Sequence, residues 1–425
     1  MAKGEGVSSG TRGVDLTRRA VLGGLTAGAL TAPAVVRAAQ ADSALRVAVI
    51  GAGVFGAWTA EHLRRAGHRV TLVDPWGPAH SRASSGGESR MTRAAYGKDA
   101  IYTRMALASL AEWKTLSTFA GLPIFAQHGV LFFFPRQEAY LTDSLRVHRE
   151  LGLPTEALSR ADMARRFPMI DFAGVDAGLF EPGFGALMAR RAVQTLVARF
   201  VKDGGAYLHG LVRPPSGGGT RLRAVTLSNG RTLEADRFVF AAGPWLPKLF
   251  PDVIGRRIVP TRQEVFYFAP PAGDPRFQPG RMPGWADFNG GDLFYGFPDL
   301  EARGLKFARD THGPVVDPDT QSRRPTDAAL KAVTAFRDRR FPGLRGAPLV
   351  AAEVCQYENS SNGDFLIDRH PRFSDVLLVG GGSGHGFKHG PEVGRMAAGL
   401  LTGTVPAEPR FSLASKAITQ KREVI

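Results

Sequence analysis

Gly51-Ala52-Gly53-Val54-Phe55-Gly56 stands between an apolar run, Leu45-Arg46-Val47-Ala48-Val49-Ile50, and a helical pattern from Ala57 to Ala66 that Gly67 ends. A second apolar run, Arg69-Val70-Thr71-Leu72-Val73, closes on Asp74, 23 residues after the first glycine. The glycine spacing alone is weak evidence, but with strand, helix and acid all in place it is the complete βαβ dinucleotide fingerprint. Gly51 permits the tight turn, Gly53 lets a pyrophosphate approach the N–H groups at the helix's positive end, and Gly56 packs helix on strand. Asp74 is expected to accept from a ribose hydroxyl. The plain alternative is a glycine-rich turn that holds no ligand. The other residue whose type could do chemistry is Cys355, the only cysteine, which excludes an intramolecular disulfide. Most single cysteines are buried space-fillers.

Several elements must position these groups. Residues 187–201 carry apolar side chains at helical spacing, and Arg237–Ala242 reads as a buried strand ending at Gly243. Between them Pro214–Gly219 and Ser228-Asn229-Gly230 punctuate short alternating strands, a β-meander crossover. Asp375–Gly380 is one more strand, followed by a glycine-rich turn through Gly390 and a helix from Pro391 to about Leu401. Gly129–Phe134, Glu264–Phe268, Asp292–Phe297 and Gly304–Ala308 are aromatic-rich and separated by Pro/Gly turns, which predicts an antiparallel sheet interleaved with the nucleotide-binding part. The fold class is mixed α/β (α+β).

The chain has 425 residues and a net charge of +15, from 54 Lys and Arg against 39 Asp and Glu. Its basic residues come as scattered pairs such as Arg64-Arg65, Arg165-Arg166 and Arg190-Arg191, without a nucleic-acid-binding motif, so they read as a solvated surface and no nucleic-acid partner is expected. Residues 1–41 look like a targeting signal: Arg18-Arg19, an apolar stretch from Ala20 to Val36, then Ala39-Gln40-Ala41. The pair resembles a twin-arginine export signal, implying a periplasmic or secreted protein. The stretch is 17 residues long with three glycines and Pro33, short for a membrane anchor, and no stable span is expected.

Beside the fingerprint, four segments carry a family resemblance: Gly87–Gly97; Tyr295-Gly296-Phe297-Pro298 with Gly304-Leu305-Lys306; Val354-Cys355-Gln356-Tyr357; and Phe365–Asp368 leading to Gly382-Ser383-Gly384-His385-Gly386-Phe387-Lys388. Over roughly residues 45–410 the chain resembles the FAD-dependent amino-acid and amine oxidase (DAO) family, in particular its monomeric sarcosine oxidase and N-methyltryptophan oxidase members. The resemblance implies a Rossmann-type FAD-binding domain from 42–126, 187–258 and 363–425, and a substrate domain from 127–186 and 259–362. FAD would be held by Gly51, Gly53, Gly56, Asp74, Gly243, Gly384, His385, Gly386, Phe387 and Lys388, and bonded covalently through Cys355 to the ring's 8α carbon. A thiolate is the attacking species, and nearby positive charge favours it. Arg93 and Lys388 correspond to the pair that holds a substrate carboxylate, a fork and a point charge suited to that task. Lys306 corresponds to the lysine that promotes reaction with oxygen, Arg90 to a cation near the flavin, and Tyr295 and Tyr357 to walls of the substrate pocket.

One position departs from the family. Four residues after Lys306, where sarcosine oxidase has a histidine, this chain has Asp310, which when ionised accepts rather than donates and favours a cationic substrate group. That argues against sarcosine itself. The implied activity is oxidation of the C–N bond of an N-methyl, cyclic or other amino acid, giving an imine and hydrogen peroxide, with the amino acid and O₂ as partners and a monomer as the working form. No metal is expected. Two alternatives remain at this level: a flavin amine dehydrogenase passing electrons to a quinone or carrier, and a non-catalytic nucleotide-binding protein.

Overall fold

The computed structural model describes residues 44–288 and 293–419. The expected signal at 1–41, with Arg18 and Arg19, and Asp292 at the head of one expected strand lie outside the described residues. The described residues from Leu45 onward form one unit. Its first large sheet has six strands, in the order Leu366–Arg369, Val376–Gly380, Arg237–Phe240, Arg46–Ile50, Arg69–Asp74 and Ala206–His209. All neighbours run parallel except the edge strand Leu366–Arg369. The inner strands are covered on both faces, which is why Val47–Ile50 and Val376–Gly380 are unbroken apolar runs. The crossover before Arg237 is a two-stranded antiparallel ribbon, Ala224–Thr226 with Thr232–Glu234, turned at Ser228-Asn229-Gly230.

The fingerprint helix runs from Val54 to Arg65, starting three residues ahead of the sequence expectation. Gly53 is extended at its N-cap, and the Val54 N–H donates to Ser85 Oγ at 3.0 Å, so a distant side chain satisfies a first-turn donor. Helix Gly390–Thr402 packs on it at small residues: a Cβ on Gly394 would stand 2.6 Å from the Trp58 backbone. The arginine pairs are engaged in ion pairs, with Arg165 and Arg166 exposed as expected and the Arg64 and Arg65 side chains partly covered. Arg64 and Arg65 share the buried carboxylate of Glu61 at 2.9 and 2.8 Å, and Arg165, Arg166, Arg190 and Arg191 pair with Asp162, Glu156, Glu88 and Glu301.

The second large sheet has eight strands, in the order Leu349–Ser360, Ile258–Phe268, Leu305–Asp310, Leu293–Phe297, Gly284–Phe288, Val130–Phe134, Ala177–Glu181 and Glu156–Ser159. It is antiparallel with one exception that corrects the sequence reading: Gly284–Phe288 lies parallel to Val130–Phe134. These strands come from distant parts of the chain, so no hairpin imposes reversal on them. Leu131, Phe133, Phe266, Leu305 and Phe307 form a core with Val333 and Phe336 of helix Asp327–Arg340. The other face is also covered, leaving Lys306 only 2% exposed rather than alternating into solvent. A small third sheet, Ser89–Thr92, Gly185–Met188 and Phe125–Gln127, carries Arg90 and leads directly to Arg93. Among the described residues no helix is long and apolar enough to cross a membrane.

Candidate active site

A cavity of about 420 Å³ opens at the carboxyl ends of the parallel strands, where open α/β sheets bind ligands. The fingerprint forms its floor. Gly51 has φ +107°, and a Cβ there would sit 2.4 Å from the Ala241 carbonyl oxygen, so only glycine brings the loop this close to the neighbouring strand. Gly56 lies beneath the loop rather than in the wall, and a Cβ on it would strike the Gly51 carbonyl at 1.9 Å. Asp74 accepts from the backbone N–H groups of Ala52, Trp76 and Gly77 at 2.9 Å each. It thus fastens the turn as well, while a carboxylate's four acceptor positions leave room for a ribose hydroxyl. Gly243, Gly384, Gly386 and Phe387 line the same cavity, and Trp76 and Trp245 meet at 4.7 Å on its wall. A glycine-rich loop at a helix N-terminus, an acid at the second strand and the cavity they line fit the diphosphate and sugars of FAD.

A smaller cavity of about 80 Å³ adjoins it, with Arg90, Tyr357, Gly384 and Phe387 shared between the two walls. Arg93, Tyr295, Asp310, Cys355, His385 and Lys388 line this chamber. Arg93 and Lys388, 5% and 4% exposed, lie against one ring: the Arg93 guanidinium is 4.2 Å and the Lys388 ammonium 5.1 Å from the centre of Tyr96. Arg93 donates to the Ala95 carbonyl and Lys388 to the His385 carbonyl, the latter at 2.9 Å. The His385 ring bridges Tyr96 Oη at 3.2 Å and the Gly363 carbonyl at 3.1 Å, so it walls the small chamber rather than the cofactor cavity.

Arg90 donates to the Ser84 and Ser89 carbonyls at 2.6 and 2.8 Å and to Cys355 Sγ at 3.4 Å. Lys306 lines neither cavity; its ammonium donates to the Ser89 carbonyl at 2.9 Å, behind Arg90. Burial, reinforced by the Arg90 charge, lowers its pKa to about 7. Asp310 is half-buried and accepts from the Tyr357 hydroxyl at 2.9 Å. Burial pushes its carboxyl up to about 6, against the pull of that bond and of Arg93, Lys388 and Lys306. Burial also raises the Tyr295 and Tyr357 phenols, keeping both neutral.

Three acids at the site escaped the sequence reading. Glu353 lines the small chamber two residues before Cys355, where strand alternation could have flagged it, since residues 353, 355 and 357 share a face. Glu181 is fully buried beyond Arg93, accepts from the Ala94 N–H at 2.9 Å, and is raised to about 7 by burial. Glu358 is buried in the wall of the large cavity. No local pattern marks the last two.

A nucleotide cavity on parallel strands, joined to a cation-lined chamber under an eight-stranded sheet, defines a two-part oxidoreductase. The chain belongs to the FAD dependent oxidoreductase (DAO) family, whose pattern it matches over residues 46–400. It is 33% identical to monomeric sarcosine oxidase of Streptomyces avermitilis, covering 84% of this chain and 94% of that protein. It is 30% identical to N-methyl-L-tryptophan oxidase of Salmonella newport, covering 84% and 95%. Among solved structures, L-proline dehydrogenase of P. horikoshii shares the fold with a TM-score of 0.77 at 20% identity, covering 89% of this chain and 99% of that one. A fructosyl peptide oxidase shares it at 0.76 and 20%, covering 87% and 93%.

Proposed function

We propose that this FAD-dependent oxidoreductase oxidises the C–N bond of a secondary or primary amino acid with O₂ as the electron acceptor. One observation carries the reading: two buried cations, Arg93 and Lys388, lie against the same Tyr96 ring in a chamber that adjoins the cofactor cavity. Charge-assisted bonds from both would hold a substrate carboxylate and point its α-carbon and nitrogen toward the shared wall. Ionised Asp310 draws a cationic amine to the same chamber. The amine, once neutral, gives up hydride and the N–H proton to become an imine, which water hydrolyses. FAD, held by the fingerprint loop and the cavity wall, would supply the two-electron acceptor, and O₂ with two protons would take up the pair as hydrogen peroxide.

Lys306 places a titratable cation behind Arg90, suited to the negative charge that builds on O₂. Cys355, in hydrogen-bond contact with Arg90, is the proposed covalent attachment point. The working form is a monomer, exported through the signal at 1–41. The test is anaerobic substrate titration. Arg93→Ala and Lys388→Ala should each raise the substrate dissociation constant about 10- to 150-fold, the worth of about 1.5–3 kcal/mol, with O₂ reactivity nearly unchanged. Parental affinity in both variants would overturn the assignment.

A further inference from the structure

We propose that Glu358 is a ligand of FAD that works as a neutral acid, donating through Oε2 to an oxygen of the cofactor's ribityl–diphosphate chain. The inference rests on FAD occupying the large cavity. Glu358 is 7% exposed in the strand Leu349–Ser360 and forms part of the cavity wall. Its carboxyl fits between three glycines. A Cβ on Gly382 would stand 3.1 Å from Oε1, and on Gly380 and Gly243 would stand 3.3 and 3.8 Å from Oε2. The backbone N–H groups of Gly381 and Gly382 act on the carboxyl electrostatically, favouring its charge, and Oε2 has no hydrogen-bond partner among the described residues. A buried oxygen left unpartnered on a ligand cavity wall needs a partner from the ligand.

Charge decides which form of the acid is present. The charged or titratable groups on the same wall include Asp74, His80, Arg90, Arg213, Lys248 and Asp319. Arg90 bonds to Ser84, Ser89 and Cys355, Lys248 to Asp317 and Asp319, Asp74 to backbone N–H groups, and the Tyr357 hydroxyl to Asp310. Arg213 bonds to the Ser228 carbonyl, His80 accepts from the Arg82 N–H, and Asp319 also accepts from Trp245. The groups packed on the carboxyl itself, Gly243 and Gly380–Gly382, carry no charge. Burial raises Glu358 to about 7, opposed only by the nearby backbone N–H groups of Gly381 and Gly382. An anionic diphosphate nearby disfavours ionisation further, so binding FAD takes up a proton at this side chain.

The experiment titrates full-length Cys355→Ser apoprotein with FAD, read by flavin fluorescence, from pH 6.5 to 9. With Glu358 present, Kd should rise roughly tenfold for each pH unit above about 7, as uptake of one proton requires. Glu358→Gln keeps an acceptor for the glycine N–H groups and a donor for FAD, so at pH 6.5 it should bind within about threefold of its parent. It should also lose one proton's worth of that slope, whatever Lys306 and Asp310 contribute in both proteins. An unchanged slope in Glu358→Gln overturns the proposal. A second measurement does not need apoprotein: the loaded parent at pH 8 should show the infrared carbonyl band of a protonated carboxyl that Glu358→Gln lacks, and its absence also overturns it. Failure of parent and variant alike to bind FAD at any pH would instead sink the cofactor assignment on which the inference rests.

Discussion

Replacing Lys306 with methionine should make the protein more stable and the enzyme slower, because the same burial underlies both effects. The side chain is 2% exposed and burial, with the Arg90 charge, lowers its pKa from 10.5 to about 7. At about 1.4 kcal/mol per tenfold change in acidity, that shift sets a ceiling of about 5 kcal/mol on the cost of holding the charged lysine in the fold. Relaxation, and the lost bond to the Ser89 carbonyl at 2.9 Å, leave a net gain of about 2 kcal/mol in Lys306→Met. A depressed pKa removes stability as pH falls, so the parent carries no penalty above pH 10.5 and the full penalty below about 7. The advantage of Lys306→Met in denaturant melts should therefore be largest at pH 6–7 and fade toward pH 10. In stopped flow, the parent's reoxidation by O₂ should fall about tenfold between pH 6 and 8 as the ammonium loses its proton. Lys306→Met should reoxidise two to three powers of ten more slowly, roughly the scale of losing one preorganised group, with no pH step and with anaerobic reduction nearly intact. Parental reoxidation in Lys306→Met, or a variant less stable than the parent at pH 7, would refute the reasoning.

Acid precipitation should leave the yellow colour with the protein, and Cys355→Ala should release it, since Cys355 is the only sulfur available for a thioether. Changing Arg18 and Arg19 to Lys should trap active enzyme in the cytoplasm, as fractionation would show. Asp310→Asn should remove a step near pH 6 from the profile of kcat/KM, because the parent's carboxylate gains charge as pH rises through about 6. Asp310→His should improve turnover of sarcosine relative to the native substrate; uniform loss on every substrate would instead make the position structural.

The parts of the fold legible in the sequence are those written in short stretches. The turn at Gly51, the close packing at Gly56 and the acid at Asp74 are fixed by spacing within one βαβ unit, and continuous apolar runs such as Val376–Gly380 record burial on both faces. Strand partnership across long separations is not written locally, so nothing near Val130–Phe134 tells that Gly284–Phe288 will lie parallel to it. The same limit governs the site. Cys355 stood out by being alone and Arg93 and Lys388 by resemblance, but their shared contact with Tyr96 exists only once the segments pack. Glu181 and Glu358 look like ordinary acids until distant strands bury them.

The central claim, oxidation of an amino acid's C–N bond with electrons passed to O₂, is tested most directly by flavin absorbance. Holoenzyme mixed without oxygen with a panel of N-methyl, cyclic and ordinary amino acids should bleach with at least one of them, and readmitted O₂ should restore the colour with one hydrogen peroxide formed per flavin. A colourless protein, a flavin that no amine or amino acid bleaches, or a bleached flavin that reduces an added dye rapidly but O₂ only slowly would contradict the account.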